Sequence, residues 1–65
     1  MSLTTKIREY RVRDKLSQEE LAQKVGVRRE TIGNLENGRY NPSLKLAMDI
    51  AKVFGCTVEE LFWFD

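Results

Sequence analysis

A chain of 65 residues with a net charge of +1, a single cysteine and no histidine excludes several classes of chemistry at once. A chain this short buries only about 60% of the surface its unfolded form exposes, so it needs tight helical packing, disulfides, a metal or a partner chain. Cys56 stands alone, which removes an internal disulfide and leaves no companion for a zinc site, and no apolar run approaches the ~20 residues of a membrane helix.

In chain order, the first predicted helix runs from Thr5 to Arg13, with Leu3, Ile7 and Tyr10 on one stripe at helical spacing. Lys15-Leu16 makes a short connection. Ser17-Gln18-Glu19-Glu20 then reads as a capping box, in which hydroxyl and carboxylate each satisfy an orphan backbone N–H. It opens a second helix with Leu21, Ala22 and Val25 inward, stopped by Gly26 in the left-handed conformation. Only Gly26, Val27 and Arg28 separate it from a third helix, Arg29 to Asn37, which buries Ile32 and Leu35 and is closed by Gly38. Two short helices around a three-residue, glycine-containing connection have the form of a helix-turn-helix. Arg39-Tyr40-Asn41-Pro42 is a loop, because Pro42 holds Asn41 out of the helical region. Ser43 caps a fourth helix, Leu44 to Phe54, with Leu44, Ala47, Ile50, Ala51 and Phe54 on one face. Gly55 ends it, and a second capping box, Thr57-Val58-Glu59-Glu60, starts a short fifth helix with Val58, Leu61 and Phe62 inward. The chain carries no strand signal, so the expectation is an all-α domain of five helices spanning residues 1–65 without an internal linker.

Charge is unevenly divided. Residues 1–40 hold nine Lys/Arg against six acids, whereas residues 41–65 hold two against four. With Ile32 and Leu35 inward, the 100° helical step turns Arg29, Glu30, Gly33, Asn34 and Asn37 of the third helix outward. Arginine offers a bidentate fork to guanine O6 and N7, and asparagine one to adenine N6 and N7.

Over Ser17 to Arg39 the sequence resembles the phage repressor and Cro superfamily, the xenobiotic-response-element type of helix-turn-helix. The resemblance rests on Ser17-Gln18-Glu19-Glu20-Leu21-Ala22-Gln23-Lys24-Val25-Gly26-Val27, on Thr31-Ile32, and on Leu35-Glu36-Asn37-Gly38-Arg39. Asn41-Pro42-Ser43-Leu44 and the ending from Gly55 to Leu61 extend it. It implies a lambda-repressor-like five-helix domain that reads operator DNA through its second and third helices as a dimeric transcriptional regulator. It further implies base reading by Arg28, Arg29, Glu30 and Asn34, and backbone contacts by Gln18, Asn37 and Arg39. It pairs Arg11 with Glu36 in a partly buried salt bridge between the first and third helices. Thr31, Gly33 and Arg13 are additional candidates near this face, although Arg13 and Lys15 read mainly as solubility charges.

Arg28 departs from the family pattern, where Ser or Thr commonly caps this helix. A lost cap costs about 1 kcal/mol, and cations at the positive end of a helix dipole are unfavourable. The expectation is therefore a locally frustrated free protein at the point where DNA arrives. The ending Leu61-Phe62-Trp63-Phe64-Asp65 holds more aromatic surface than a two-turn helix buries. Trp63 and Phe64 are accordingly assigned to a homodimer interface with the fifth helix at the two-fold axis.

The expected partners are double-stranded DNA and a second copy of the chain, with no membrane, metal, cofactor or small-molecule ligand. The unpaired cysteine and the lack of a signal peptide fit a reducing cytoplasm. Without a phosphate-cradling glycine loop or paired carboxylates no enzyme is expected, and Cys56 reads as a small filler. The same fold also serves antitoxins and protein-interaction modules. The basic outward face of the third helix argues against a pure interaction module, which would present an apolar patch.

Overall fold

The computed structural model describes residues 2–65. The chain runs β1 (Leu3–Thr5), α1 (Ile7–Arg13), α2 (Gln18–Val25), α3 (Arg29–Glu36), α4 (Leu44–Phe54), α5 (Val58–Leu61) and β2 (Phe62–Phe64). Five helices form in the expected order and make up most of the domain, and to them the structure adds a small sheet that the all-α expectation lacks. The two ends of the chain pair as an antiparallel two-stranded sheet, with Leu3 opposite Phe64, Thr4 opposite Trp63 and Thr5 opposite Phe62.

Both strands are made of residues suited to a pleated, half-buried surface: Leu-Thr-Thr and Phe-Trp-Phe. Their formation shortens the neighbouring helices. Thr5 does not begin α1; its hydroxyl accepts from the Ile7 N–H at 3.0 Å, and the helix starts there. Phe62 lies beyond α5, in β-region backbone (φ −132°, ψ 141°), and is buried from the strand. Around the ladder, the Lys6 N–H donates to the Leu61 carbonyl at 2.9 Å, and the Asp65 N–H to that of Ser2 at 3.0 Å.

Each helix contributes at least one fully buried aliphatic side chain: Ile7, Leu21, Ile32 with Leu35, Ile50 and Leu61. The inward face of α4 is Leu46, Ala47, Ile50, Ala51 and Phe54, and Tyr10 stacks on Phe54 with ring centroids 5.5 Å apart. Leu44, expected on that face, is 73% exposed. It is the first residue of α4, ahead of the stretch that meets the core, and Leu46 takes the buried place.

The helix ends follow the capping chemistry. Ser17 and Glu20 form a reciprocal capping box on α2, Thr57 and Glu60 form another on α5, and the Ser43 hydroxyl accepts from the Leu46 N–H at the start of α4. In each box, hydrogen bonds from backbone N–H and hydroxyl hold the glutamate below the usual carboxylate range.

One end breaks the usual pattern. Beyond α1 the N–H groups of Lys15 and Leu16 close onto the carbonyls of Val12 and Arg11, a Schellman arrangement that needs a left-handed residue at position 15. Lys15 adopts it at φ 58°. A left-handed residue bearing a Cβ costs roughly 1–2 kcal/mol, part of which glycine returns as chain entropy in the unfolded state. Lys15→Gly is therefore expected to stabilise the fold by about 0.5–1 kcal/mol in chemical denaturation, and unchanged stability would contradict this reading of the turn.

Candidate nucleic-acid interface

Gly26, with φ 74° and ψ 33°, turns the chain between α2 and α3, and the Val27 N–H closes the turn on the Ala22 carbonyl at 3.0 Å. Leu21 and Ala22 on one side and Ile32 and Leu35 on the other are buried, so the two helices meet through their apolar faces. This packing turns the remaining face of α3 outward.

Arg28, Arg29, Glu30, Asn34 and Asn37 are all exposed, as is Arg39 beyond Gly38. Thr31 is half-buried. Gly33, expected to lie outward, is also half-buried and faces Gln18: a Cβ there would lie 3.8 Å from the Gln18 amide nitrogen. Arg13 does not join this group. Its guanidinium donates to Asp14 at 2.8 and 3.0 Å and to the Phe54 carbonyl at 2.9 Å, and it lies over the Tyr10 ring.

Arg28 occupies the N-cap position of α3 in extended backbone and makes no side-chain cap hydrogen bond. The helices α2, α4 and α5 each receive a hydroxyl cap at that position, whereas α3 leaves its first-turn N–H groups without a side-chain acceptor and sets Arg28 and Arg29 beside them. Such a helix start favours an anionic neighbour. Arg28→Ser restores the missing cap. It is expected to raise the melting temperature by about 4–8 °C, the equivalent of about 1 kcal/mol in a domain of this size. A melting temperature at or below that of the parent chain would contradict the frustration argument.

Arg11 and Glu36 meet as a two-pronged pair. Arg11 Nε donates to Glu36 Oε2 at 2.8 Å and Nη2 to Oε1 at 3.2 Å, while Nη1 donates to the Leu16 carbonyl at 3.0 Å. The side chains are 15% and 7% exposed. The pair ties α1, the α1–α2 turn and the last turn of α3 together.

A further link was not evident in the sequence. Gln18 Nε2 donates to Glu36 Oε1 at 3.3 Å, and Gln18 Oε1 accepts from Arg29 Nη1 at 3.3 Å. The three residues are 18 and 11 positions apart, so no local spacing signals the contact.

Trp63 and Phe64 do not extend the last helix; they form β2. Trp63 is 38% exposed with Lys6 Nζ 5.8 Å from its ring centroid, and Phe64 is 53% exposed. Phe64 lines an apolar groove with Leu3, Pro42, Leu44, Ala47, Val58 and Phe62. Cys56 is half-buried, and burial pushes its thiol up, away from the reactive thiolate. Among the described residues no cluster of His, Cys, Asp and Glu has the arrangement of a metal site, and no helix is long and apolar enough to cross a membrane.

The helix-turn-helix family model matches residues 7–61. An HTH-type transcriptional regulator of Archaeoglobus fulgidus is 60% identical over 63 residues, covering 97% of this chain and 90% of the relative. The cryptic phage CTXphi transcriptional repressor RstR of Vibrio cholerae is 38% identical over 58 residues, covering 89% of this chain and 52% of that protein. Among solved structures, the restriction-modification controller protein C.AhdI of Aeromonas hydrophila superposes with a TM-score of 0.76 at 35% identity, covering 83% of this chain and 82% of that one. The clp gene regulator ClgR of Corynebacterium glutamicum gives a TM-score of 0.77 at 26% identity, and the aligned region spans 57% of its chain. With the capped α2, the glycine turn and the outward cationic start of α3 inside the matched span, the chain belongs to the helix-turn-helix family of DNA-binding transcriptional regulators.

Proposed function

We propose that this chain is a sequence-specific repressor that binds an inverted-repeat operator as a homodimer, with α2 and α3 as the reading unit of one domain covering residues 1–65. One observation carries the proposal: the start of α3 is exposed, uncapped and doubly cationic, on a helix whose other face is held in the core. A recognition helix reads base edges with its N-terminal residues. Arg28 and Arg29 supply guanidinium forks for guanine, Asn34 one turn on supplies an amide for adenine, and Glu30 accepts from cytosine. Gln18, at the first position of α2, donates its free amide hydrogen to phosphate, and Asn37 and Arg39 grip the backbone beyond α3.

Repression is supported by the name of the phage relative, and follows physically from a small protein occupying a promoter. Trp63 and Phe64 are proposed as dimer contacts, supported by their exposure and by the apolar groove that Phe64 lines. Two such subunits present their α3 helices to successive major grooves about one helical turn, ~34–36 Å, apart. Control then runs through protein concentration and self-association.

Phosphate contacts make affinity salt-dependent through counterion release. Three contacts per subunit, six per dimer, correspond to a slope of about −5 in a plot of log binding constant against log salt. Titrating a labelled duplex at increasing salt tests this. A steep negative slope of that order is expected, and a slope near zero would contradict a phosphate-gripping role.

A further inference from the structure

Glu36 does more than pair with Arg11. The Arg11 guanidinium, the Glu36 carboxylate, the Gln18 amide and the Arg29 guanidinium form one continuous hydrogen-bonded chain, with links of 2.8, 3.3 and 3.3 Å. We infer that Glu36 is a positioning residue for base reading, which sets the amide of Gln18 and through it the aim of Arg29. This inference rests on the base-reading role of Arg29 proposed above.

Donor and acceptor chemistry fixes the arrangement. A carboxylate only accepts and a guanidinium only donates. Between Glu36 and Arg29, the Gln18 amide therefore has a single self-consistent orientation, with its NH2 toward the carboxylate and its oxygen toward the guanidinium. Glu36 can impose that orientation because it is almost fully buried and is itself fixed from the other side by two Arg11 contacts. The amide lies over Gly33, where a Cβ would stand at 3.8 and 4.0 Å from its polar atoms; these are ordinary contact distances, and a longer side chain would compete for the same space. Arg29 itself is exposed, and an exposed guanidinium without such an anchor samples many rotamers. Held through one Nη1 hydrogen, it keeps its other donors for a guanine edge, and the second Gln18 amide hydrogen remains for phosphate. Recognition by Arg29 and backbone contact by Gln18 are thus set by one buried carboxylate.

The test uses the full chain and duplexes that it selects from a randomised library, each operator position then being changed in turn. Arg29→Ala is expected to lower the guanine preference at one position of each half-site by about fivefold or more. Glu36→Gln and Gln18→Met should relax the same position by a smaller factor, beyond any uniform loss of affinity. Arg11→Lys replaces the two-pronged contact with a single one and loosens Glu36, so it should lower thermal stability and relax the same position by no more than Glu36→Gln does. Gln18→Met alters no ion pair and tests the link to Arg29, and Glu36→Asp, which keeps the charge but shortens its reach to Gln18, tests the Glu36 link if Glu36→Gln folds poorly. Equal weakening by Gln18→Met and Glu36→Gln for every base, with Arg29→Ala still relaxing one position, would overturn the positioning role alone. Arg29→Ala leaving all preferences intact would remove the base-reading assignment and this inference with it.

Discussion

Glu36→Ala is expected to cost about 3–5 kcal/mol of folding stability, since breaking a buried pair from one side leaves an uncompensated charge. Small domains have only about 5–15 kcal/mol in total, and this one has a short core to draw on. Arg11 would keep only the Leu16 carbonyl as an acceptor, and with its side chain 15% exposed it cannot recover full hydration without opening the junction of α1 and α3. Circular dichroism during thermal unfolding should show a melting transition lowered by more than 10 °C at the ~4–8 °C per kcal/mol typical of this size, or no cooperative transition. A cost below about 1 kcal/mol would mean that the pair behaves as a solvated surface contact.

Gly38→Ala is the second large effect, for a different reason. Gly38 sits after α3 at φ 69°, and a Cβ there would lie 2.7 Å from the carbonyl oxygen of Leu3. That oxygen belongs to β1, whose place is set by pairing with β2 and by burial of Leu3. The clash therefore falls on backbone that cannot swing aside. The left-handed conformation alone costs an alanine roughly 1–2 kcal/mol, and forced displacement of packed structure adds about 1–3 kcal/mol. A total of about 2–5 kcal/mol is expected in chemical denaturation. Gly55→Ala provides the comparison, because Gly55 has the same φ of 69° and open space around the added carbon. Equal costs at the two positions would show that the approach of the α3–α4 loop to β1 contributes nothing.

The sheet that Gly38 abuts was the part of the fold hidden from the sequence. Capping boxes at Ser17–Glu20 and Thr57–Glu60 lie within four residues, so their chemistry is readable locally. Leu3–Thr5 and Phe62–Phe64 are three residues each, too short to display a period of two, and their partners are about 60 positions apart. Leu3 consequently read as the head of a helical stripe, and Trp63 and Phe64 as surplus helix. The exchange of Leu44 for Leu46 has a similar origin. Both fit an apolar face including Ala47 at helical spacing, and where α4 enters the core decides between them.

At the candidate site, outwardness was legible because Ile32 and Leu35 fix the phase of α3. What could not be read was the coupling among residues already singled out. Gln18, Arg29 and Glu36 are individually recognisable, but their hydrogen bonds depend on how α2 crosses α3. Gly33 illustrates the same limit: its phase points outward, yet the crossing puts the Gln18 side chain over it.

Sequence-specific reading by α3 can be measured by selecting duplexes from a fully randomised library with the intact chain. Enrichment of an inverted repeat with half-sites about one helical turn apart is expected, together with loss of that enrichment when Arg29 and Asn34 are both replaced by alanine. Recovery of no common sequence, or an unchanged repeat from the doubly substituted chain, would contradict it.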